Sequence, residues 1–257
     1  MTKPELSQLF CQDVVELSKE GFKICLIHGG GPMITSLLTS LSIPTTFDPL
    51  TGVRISSPEV VSIAEMALNS VGKTLSSSVS HSGVRGVSLS GRDGRMLKCV
   101  PKENGRLGNV GTVTTVDPTL INSILNTPKC VPIIAPIGQG EGEDGDTVYN
   151  VNADEAAGEV ARVLGCELTV FLTDVEGVLD GDMKLIPSLD GRGIERLREE
   201  GVIKGGMIPK VKNALSAAGE GGKSVIADGR VEGALGNIIR RIYGDGEDGG
   251  GGTVITK

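Results

Sequence analysis

Apolar and polar positions along the 257-residue chain alternate between helical and strand periods almost throughout. Apolar residues at three- and four-residue spacing predict helices, over 4–20, 32–41, 58–79, 118–125, 154–164, 194–200, 209–219 and 234–243. Short apolar runs predict strands over 23–28, 86–89, 96–100, 111–115, 131–137, 167–172, 224–227 and 253–256, and Thr-rich residues predict a hairpin over 43–56. Such alternation is typical of parallel sheets covered on both faces. We therefore expect an α/β fold, a three-layer αβα sandwich around an open, mainly parallel sheet.

Composition excludes several classes of protein. A net charge of -7 and a pI near 5.0 argue against nucleic-acid binding, which needs a basic surface. The five cysteines are widely spaced and form neither a CxxC metal pattern nor a disulfide framework, which favours a reducing compartment. No segment is long and apolar enough to span a bilayer. We expect a soluble intracellular protein.

His28-Gly29-Gly30-Gly31 stands between a predicted buried strand and a predicted helix. Glycines let the backbone approach a ligand closely, and the N–H groups at a helix start point toward one spot. Three glycines in this position therefore predict a loop that contacts an anion. A second glycine-rich segment, Gly138 to Asp146, is an alternative anion-binding loop by its glycines. It carries four acidic residues, and we interpret it as a solvated loop.

Further polar residues follow predicted strands or open predicted helices. Asn150 and Asn152 alternate along an extended stretch that ends at Asp154, which we expect to start a helix. A Thr173-Asp174 turn follows another buried strand, and Lys210 lies in the first turn of a helix. Glycine amides, a lysine and an aspartate suit phosphoryl transfer, which depends on positioning and charge neutralisation.

Seven motifs together make the sequence resemble the acetylglutamate kinases of the amino-acid kinase family, closest to the plant and cyanobacterial branch. They are HGGGP at 28–32, GVR at 52–54, LSGRDGR at 89–95, LGNVG at 107–111, NVNAD at 150–154, LTDVEGVL at 172–179 and GGMIPKV at 205–211. The resemblance implies ATP-dependent phosphorylation of the side-chain carboxylate of N-acetyl-L-glutamate, an arginine-biosynthesis step. It also implies one amino-acid kinase domain over 1–257, with an acceptor-binding half to about residue 165 and a nucleotide-binding half from about 166.

The resemblance implies a role for each matching residue. Gly30 and Gly31 would hold the reacting carboxylate and the transferring phosphoryl group, Arg54 the acceptor's α-carboxylate, and Asn150 another part of the acceptor. Lys210 would neutralise charge on the phosphoryl oxygens, and Asp154 would hold the catalytic lysines in place. The nucleotide pocket, with Mg²⁺ bridging the phosphates, would be lined by Thr173, Asp174, Val175, Glu176, Gly177, Val178, Val202, Ile203 and Lys204.

Three departures from the family's pattern leave alternatives open. Family members open with a strand that ends in Lys-x-Gly-Gly, whereas this sequence starts at the first predicted helix; the hairpin is about two residues longer; and Gly72 replaces a usual asparagine. We therefore expect ATP and Mg²⁺ binding with slow turnover. The alternatives are another acceptor such as an aminoadipate derivative, a catalytically silent ligand-binding homologue, or an incomplete gene model.

The family resemblance also implies partners and a location. We expect a homo-oligomer, either a dimer or a hexamer built of dimers, and a PII-type regulator. We expect a cytoplasmic enzyme, or one of the plastid stroma if the source is a photosynthetic eukaryote.

Overall fold

A computed structural model describes residues 4–49, 51–219, 221–244 and 251–257 of the chain. The chain forms two compact units, one of Met1–Leu17 with Ala157–Lys257 and the other of Ser18–Ala156. Both units combine helices with parallel strand pairs. The expectation of an α/β fold with mainly parallel pairing is confirmed.

The predicted helices and strands occur in the predicted order, and the structure adds three strands, β8, β9 and β11. The helices are α1 (Pro4–Glu20), α2 (Gly31–Ser40), α3 (Pro58–His81), α4 (Thr119–Leu125), α5 (Ala153–Leu164), α6 (Gly191–Glu199), α7 (Met207–Ala218) and α8 (Ala234–Tyr243). The strands are β1 (Leu26–Ile27), β2 (Thr46–Phe47), β3 (Arg54–Ile55), β4 (Arg85–Ser90), β5 (Leu97–Pro101), β6 (Val110–Val116), β7 (Cys130–Ala135), β8 (Ile137–Gly140), β9 (Val148–Val151), β10 (Leu168–Thr173), β11 (Ser188–Leu189), β12 (Lys223–Asp228) and β13 (Thr253–Ile255). None of the described helices combines the length and the apolar character needed to cross a membrane.

The unit Ser18–Ala156 is built on a parallel three-stranded sheet in the order β1-β7-β4. The long helix α3 packs against β4 and β7, and α2 packs against α3. A side-chain cap starts α3, because the hydroxyl of Ser57 accepts from the Val60 amide at 3.2 Å. Its core contains Ile34, Leu38, Val60, Ala64, Ala67, Leu68, Ala135 and Ile137.

The same unit contains a small closed barrel of β5, β6, β9 and β8, which the sequence did not predict. The apolar run 131–137 is not one strand, because it is interrupted at Pro136 and continues as β8 of the barrel. Gly138 and Gly140 are buried in β8, so the prediction that 138–146 is entirely a solvated loop is wrong for its first three residues. A glycine-rich stretch gives no strand signal, although glycine suits strands where another backbone approaches closely.

The other unit contains a mixed four-stranded sheet in the order β10-β12-β13-β11. β10 and β12 pair in parallel along six residues, and β13 joins β12 antiparallel. Helices α6 and α7 contribute to its core, which includes Phe171, Val178, Leu189, Ile194, Leu197, Ile203, Val211, Ala214, Ile226 and Ile255.

The start of α5 differs from the prediction. The helix begins at Ala153, not at Asp154, and the Asn152 side chain caps it by accepting from the amides of Asp154 (2.9 Å) and Glu155 (3.1 Å). Asn and Asp are about equally good caps, so composition alone did not decide between the two neighbours. α7 likewise begins at Met207, two residues before the predicted start.

The central strand β7 should dominate the stability of the unit Ser18–Ala156. Ile134 in this strand is fully buried, whereas Met66 on α3 is 60% exposed. Ile134→Ala should therefore lower the free energy of unfolding by about 2–5 kcal/mol, because it removes buried methyl groups and leaves a cavity. Met66→Ala should change it by less than about 0.5 kcal/mol. Urea denaturation of both variants checks this difference. Equal losses in the free energy of unfolding would contradict the central position of β7.

Candidate functional site

The three-glycine turn joins β1 to the start of α2. Pro32 occupies the first turn of the helix, and no side chain caps its N-terminus. A Cβ added at Gly30 would lie 2.8 Å from Leu68 Cδ2, whereas one added at Gly31 would meet nothing within 4 Å. Gly30 is therefore packed against the core, and Gly31 presents its backbone to open space. An uncapped helix N-terminus in open space is suited to an anion.

His28, at the start of this turn, is buried and directs its ring toward the protein interior. Its Nδ1 donates to the carbonyl of Gly29 at 3.1 Å, and its buried Nε2 has no hydrogen-bond partner among the described residues. Burial lowers the pKa of His28, which favours the neutral ring. The ring lies against Gly72, where an added Cβ would be 3.0 Å from Nε2 and 2.7 Å from Ser88 Oγ. His28 thus packs under the glycine turn.

Arg54 reaches the same turn from the hairpin of β2 and β3. Its guanidinium donates to Thr45 Oγ1 (2.7 Å) and Thr35 Oγ1 (2.8 Å), and more weakly to the carbonyl of Gly31 (3.5 Å). It also lies 4.5 Å from the centre of the Phe47 ring. Only 7% of Arg54 is exposed, and burial lowers its pKa.

The partners of Arg54 are all neutral. No carboxylate among the described residues pairs with this buried guanidinium. Buried charges are normally paired. A planar cation with this surrounding is therefore suited to a ligand carboxylate, which its two parallel N–H groups can bind in a bidentate way.

Asn150 is connected to the same strand as Arg54. Its side-chain amide donates to Ser56 Oγ at 3.4 Å, and Ser56 Oγ donates to the carbonyl of Arg54 at 3.0 Å. The Asn150 backbone amide donates to the Asn109 carbonyl at 2.9 Å. Asn150 is half-buried. Because Ser56 bonds to both residues, the predicted acceptor residues Arg54 and Asn150 belong to one hydrogen-bonded group.

The N-terminus of α5 lies next to the glycine turn. A Cβ added at Gly29 would be 3.9 Å from the Cβ of Ala153, the first residue of α5. Asp154 is the second residue and is half-buried, while Asn152 uses its side-chain oxygen for the cap. The sequence predicted Asn150 and Asn152 as one ligand-facing cluster. In the structure the two side chains have different hydrogen-bond partners.

The predicted nucleotide residues lie in the unit that contains Ala157–Lys257. Thr173 ends β10, and its hydroxyl donates to the Asp174 carboxylate at 3.2 Å. Val178 and Ile203 are core residues with 1% and 3% exposure, so their side chains have no free surface for a ligand. The exposed members are Asp174, Glu176 and Lys204, and the half-buried ones are Thr173, Val175 and Val202. Lys210, which was predicted to neutralise charge on the phosphoryl oxygens, is also half-buried.

Sequence reasoning missed the residues that hold Arg54. Thr35 lies four residues after Gly31 on α2. Thr45 directly precedes β2, and Phe47 lies on β2 opposite Arg54. Buried Ser56 was also missed. The available signals were the Thr-rich hairpin and the placement of Thr35 one helical turn beyond the glycines.

Residues 1–228 match the amino acid kinase family, and the chain belongs to this family. Among curated proteins it is similar to acetylglutamate kinase of Aliarcobacter butzleri (strain RM4018), with 39% identity over 247 residues, 95% of this chain and 80% of that protein. It is also 39% identical to acetylglutamate kinase of Methylobacillus flagellatus over 100% of this chain and 87% of that protein. The similarity therefore extends over both units.

Solved structures show the same fold at lower identity. N-acetylglutamate synthase from Neisseria gonorrhoeae, complexed with coenzyme A and N-acetyl-glutamate, superimposes with a TM-score of 0.81 and 22% identity, covering 99% of this chain and 57% of that chain. Giardia carbamate kinase has a TM-score of 0.72 and 16% identity over 98% of this chain and 89% of that chain. These neighbours place the α/β architecture in the amino acid kinase fold.

The two glycines of the turn make a matched pair for mutagenesis. Gly30→Ala should lower the free energy of unfolding by about 1–3 kcal/mol, because its Cβ overlaps Leu68 in a packed core. Gly31→Ala has open space and should change stability by less than about 0.5 kcal/mol. Thermal unfolding of both variants checks this difference. Equal destabilisation would mean that Gly31 is packed within the protein.

Proposed function

We propose that this protein transfers the γ-phosphoryl group of ATP to the side-chain carboxylate of N-acetyl-L-glutamate, an arginine-biosynthesis reaction. The observation that carries the proposal is Arg54, a buried cation with neutral partners next to the open start of α2. The similarity to acetylglutamate kinases along both units supports the same acceptor.

We assign the acceptor to the unit Ser18–Ala156. Arg54 binds the α-carboxylate, Asn150 donates a hydrogen bond to the acceptor, and the amides of Gly30 and Gly31 contact the reacting carboxylate and the transferring phosphoryl group. Two anionic groups of the acceptor thus meet a guanidinium and a helix N-terminus, which both favour negative charge.

We assign the nucleotide to the other unit. The backbone of 173–178, together with Val202 and Lys204, would line its pocket, since the side chains of Val178 and Ile203 belong to the core. Lys210 is half-buried in the first turn of α7. The helix dipole disfavours a cation there, and bound phosphoryl oxygens would offset this. In the reaction a carboxylate oxygen forms a bond to the γ-phosphorus, the bond to the β-phosphate oxygen breaks, and ADP leaves.

The proposed Mg²⁺ ion would arrive with the nucleotide. The described residues contain no group of three or more His, Cys, Asp or Glu side chains that could hold a metal ion. Mg²⁺ commonly keeps several waters and binds through substrate phosphates with few protein ligands, so the residues are compatible with an ATP-borne ion. When bound, it would neutralise charge on the β- and γ-phosphates.

Identity of about 39% to acetylglutamate kinases favours the kinase over a silent binding protein and over another acceptor. The homo-oligomeric state, the PII-type regulator and the cytoplasmic or plastid location stay predictions.

An assay with hydroxylamine tests the function directly. The acyl phosphate product should react to a hydroxamate, and its formation should require ATP, Mg²⁺ and N-acetyl-L-glutamate together. An N-acetylated aminoadipate, one methylene longer, and free L-glutamate are the matched acceptors. Faster hydroxamate formation with the longer acceptor, or ADP release without hydroxamate, would contradict the proposal.

Arg54→Ala should raise the KM for N-acetyl-L-glutamate by roughly 10- to 100-fold, because a charge-assisted hydrogen bond of about 1.5–3 kcal/mol is lost. The KM for ATP should stay within about twofold. Arg54→Lys keeps the charge but loses the planar fork, so its KM for N-acetyl-L-glutamate should lie between those of the unsubstituted protein and Arg54→Ala. Arg85→Ala removes an exposed arginine of the same unit and serves as the control. Equal weakening of both substrates would indicate a misfolded hairpin.

A further inference from the structure

Asp48, in the loop of the β2–β3 hairpin, is a buried carboxylate in a dense set of hydrogen bonds. Only 2% of the residue is exposed. Its oxygens accept from Arg106 Nη1 at 2.6 Å and Nη2 at 3.4 Å, and from the amide (3.0 Å) and hydroxyl (2.6 Å) of Thr51. The bonds from Arg106 and Thr51 hold the pKa of Asp48 well below its usual range, so the carboxylate is charged at neutral pH.

The ion pair joins segments that are 58 residues apart in sequence. Arg106 is half-exposed and lies just before β6, and its other acidic contact is Glu103 at 3.9 Å. The hairpin itself is short, with only two paired residues in each strand. Two-stranded hairpins of this size are marginally stable by themselves. The ion pair with Arg106, which comes from outside the hairpin, therefore contributes strongly to holding the loop in place.

Asp48 is directly coupled to the geometry of Arg54. Its amide donates to the Val53 carbonyl at 2.8 Å, so Asp48 and Val53 continue the register in which Phe47 faces Arg54. The Phe47 ring lies 4.5 Å from the Arg54 guanidinium, although 53% of Phe47 is exposed. Fixing Asp48 therefore fixes the ring against which Arg54 stacks.

The segment that carries Arg106 also contacts the other acceptor residue. The Leu107 carbonyl accepts from the Ser56 amide at 3.1 Å, and the Asn109 amide donates to the Ser56 carbonyl at 2.6 Å. The Asn109 carbonyl accepts from the Asn150 amide at 2.9 Å. Residues 106–109 thus bind the hairpin loop, Ser56 just after β3, and Asn150 in β9.

We propose that the Asp48–Arg106 ion pair positions Arg54, so that it sets the affinity for the acceptor's α-carboxylate without touching the acceptor. The proposal rests on the proposed function. Asp48 and Arg106 are positioning residues, because their contacts run through the hairpin and through Phe47. Loss of Arg106 leaves the buried Asp48 with Thr51 alone, whereas loss of the Asp48 charge leaves an arginine that water can reach. Arg106→Ala should therefore have the larger effect.

Steady-state kinetics provide the first test. Arg106→Ala should raise the KM for N-acetyl-L-glutamate about tenfold, the scale of coupling within one hydrogen-bond network, with kcat and the KM for ATP within about twofold. Arg106→Lys, which keeps a charge near Asp48, should recover most of the affinity, and Asp48→Asn should show a smaller increase. Glu103→Ala is the matched control, since it removes only the weaker and exposed contact of Arg106.

A double-mutant cycle separates positioning from general destabilisation. When Arg54 is already alanine, adding Arg106→Ala should raise the acceptor KM by less than about twofold, because there is no guanidinium left to position. A tenfold increase in that background, or an unchanged KM in Arg106→Ala alone, would overturn the proposal. Equal increases in the KM values for acceptor and ATP would do so as well.

A second readout does not depend on catalysis. The NMR resonance of the Arg54 Nε–H group should shift in Arg106→Ala and stay in place in Glu103→Ala. Thermal unfolding curves of both variants check that each is folded. An unshifted resonance overturns the positioning claim. The Arg54 resonance could shift in Arg106→Ala while the unsubstituted protein forms no hydroxamate from N-acetyl-L-glutamate. That result would support the positioning of Arg54 and reject N-acetyl-L-glutamate as acceptor, so failure of the positioning proposal and failure of the proposed function are distinguishable.

Discussion

The arrangement of the proposed acceptor site follows from burying the charge of Arg54 without a carboxylate beside it. Taking a guanidinium out of water is unfavourable unless its N–H groups find acceptors. The fold supplies neutral ones, the hydroxyls of Thr35 and Thr45 and the Phe47 ring. These partners satisfy donors without cancelling the charge. An anionic ligand is therefore attracted to a site that is already organised, which lowers the ordering cost of binding.

This organisation requires a close approach between two backbones. Gly108 has a φ of +69°, and a Cβ there would lie 2.5 Å from the carbonyl of Ser56. Only glycine satisfies both conditions. The approach allows the amide of Asn109 to bond Ser56, and it brings the chain to the position where Arg106 reaches Asp48. One glycine thus lets a loop of the barrel hold the strand that carries Arg54.

How far the sequence predicted this protein depends on the range of each interaction. Periodicity predicted α1 and α8 at their observed bounds, because a long amphipathic helix is a local signal. It missed β9 and β11, which are short, and the barrel, which exists only through pairing of distant strands. At the site, the family resemblance pointed to Arg54 and Asn150, and the structure brings both into one hydrogen-bonded group. Thr35, which accepts from Arg54, lies 19 residues from it, and Arg106 lies 58 residues from its partner Asp48 in the same hairpin. No local pattern identifies such pairs.

The chemistry of the acceptor explains why such a site can work with little proton-transfer machinery. A side-chain carboxylate has an unperturbed pKa of about 4.3 and is already ionised at neutral pH, so no base is needed to generate the nucleophile. His28, although it opens the glycine turn, is buried under it with a lowered pKa, and its Nδ1 is occupied by the Gly29 carbonyl. It is therefore a structural support of the turn. What remains for the protein is to bring two anions together against their mutual repulsion. The uncapped helix amides and the uncompensated guanidinium are the groups that we propose for this.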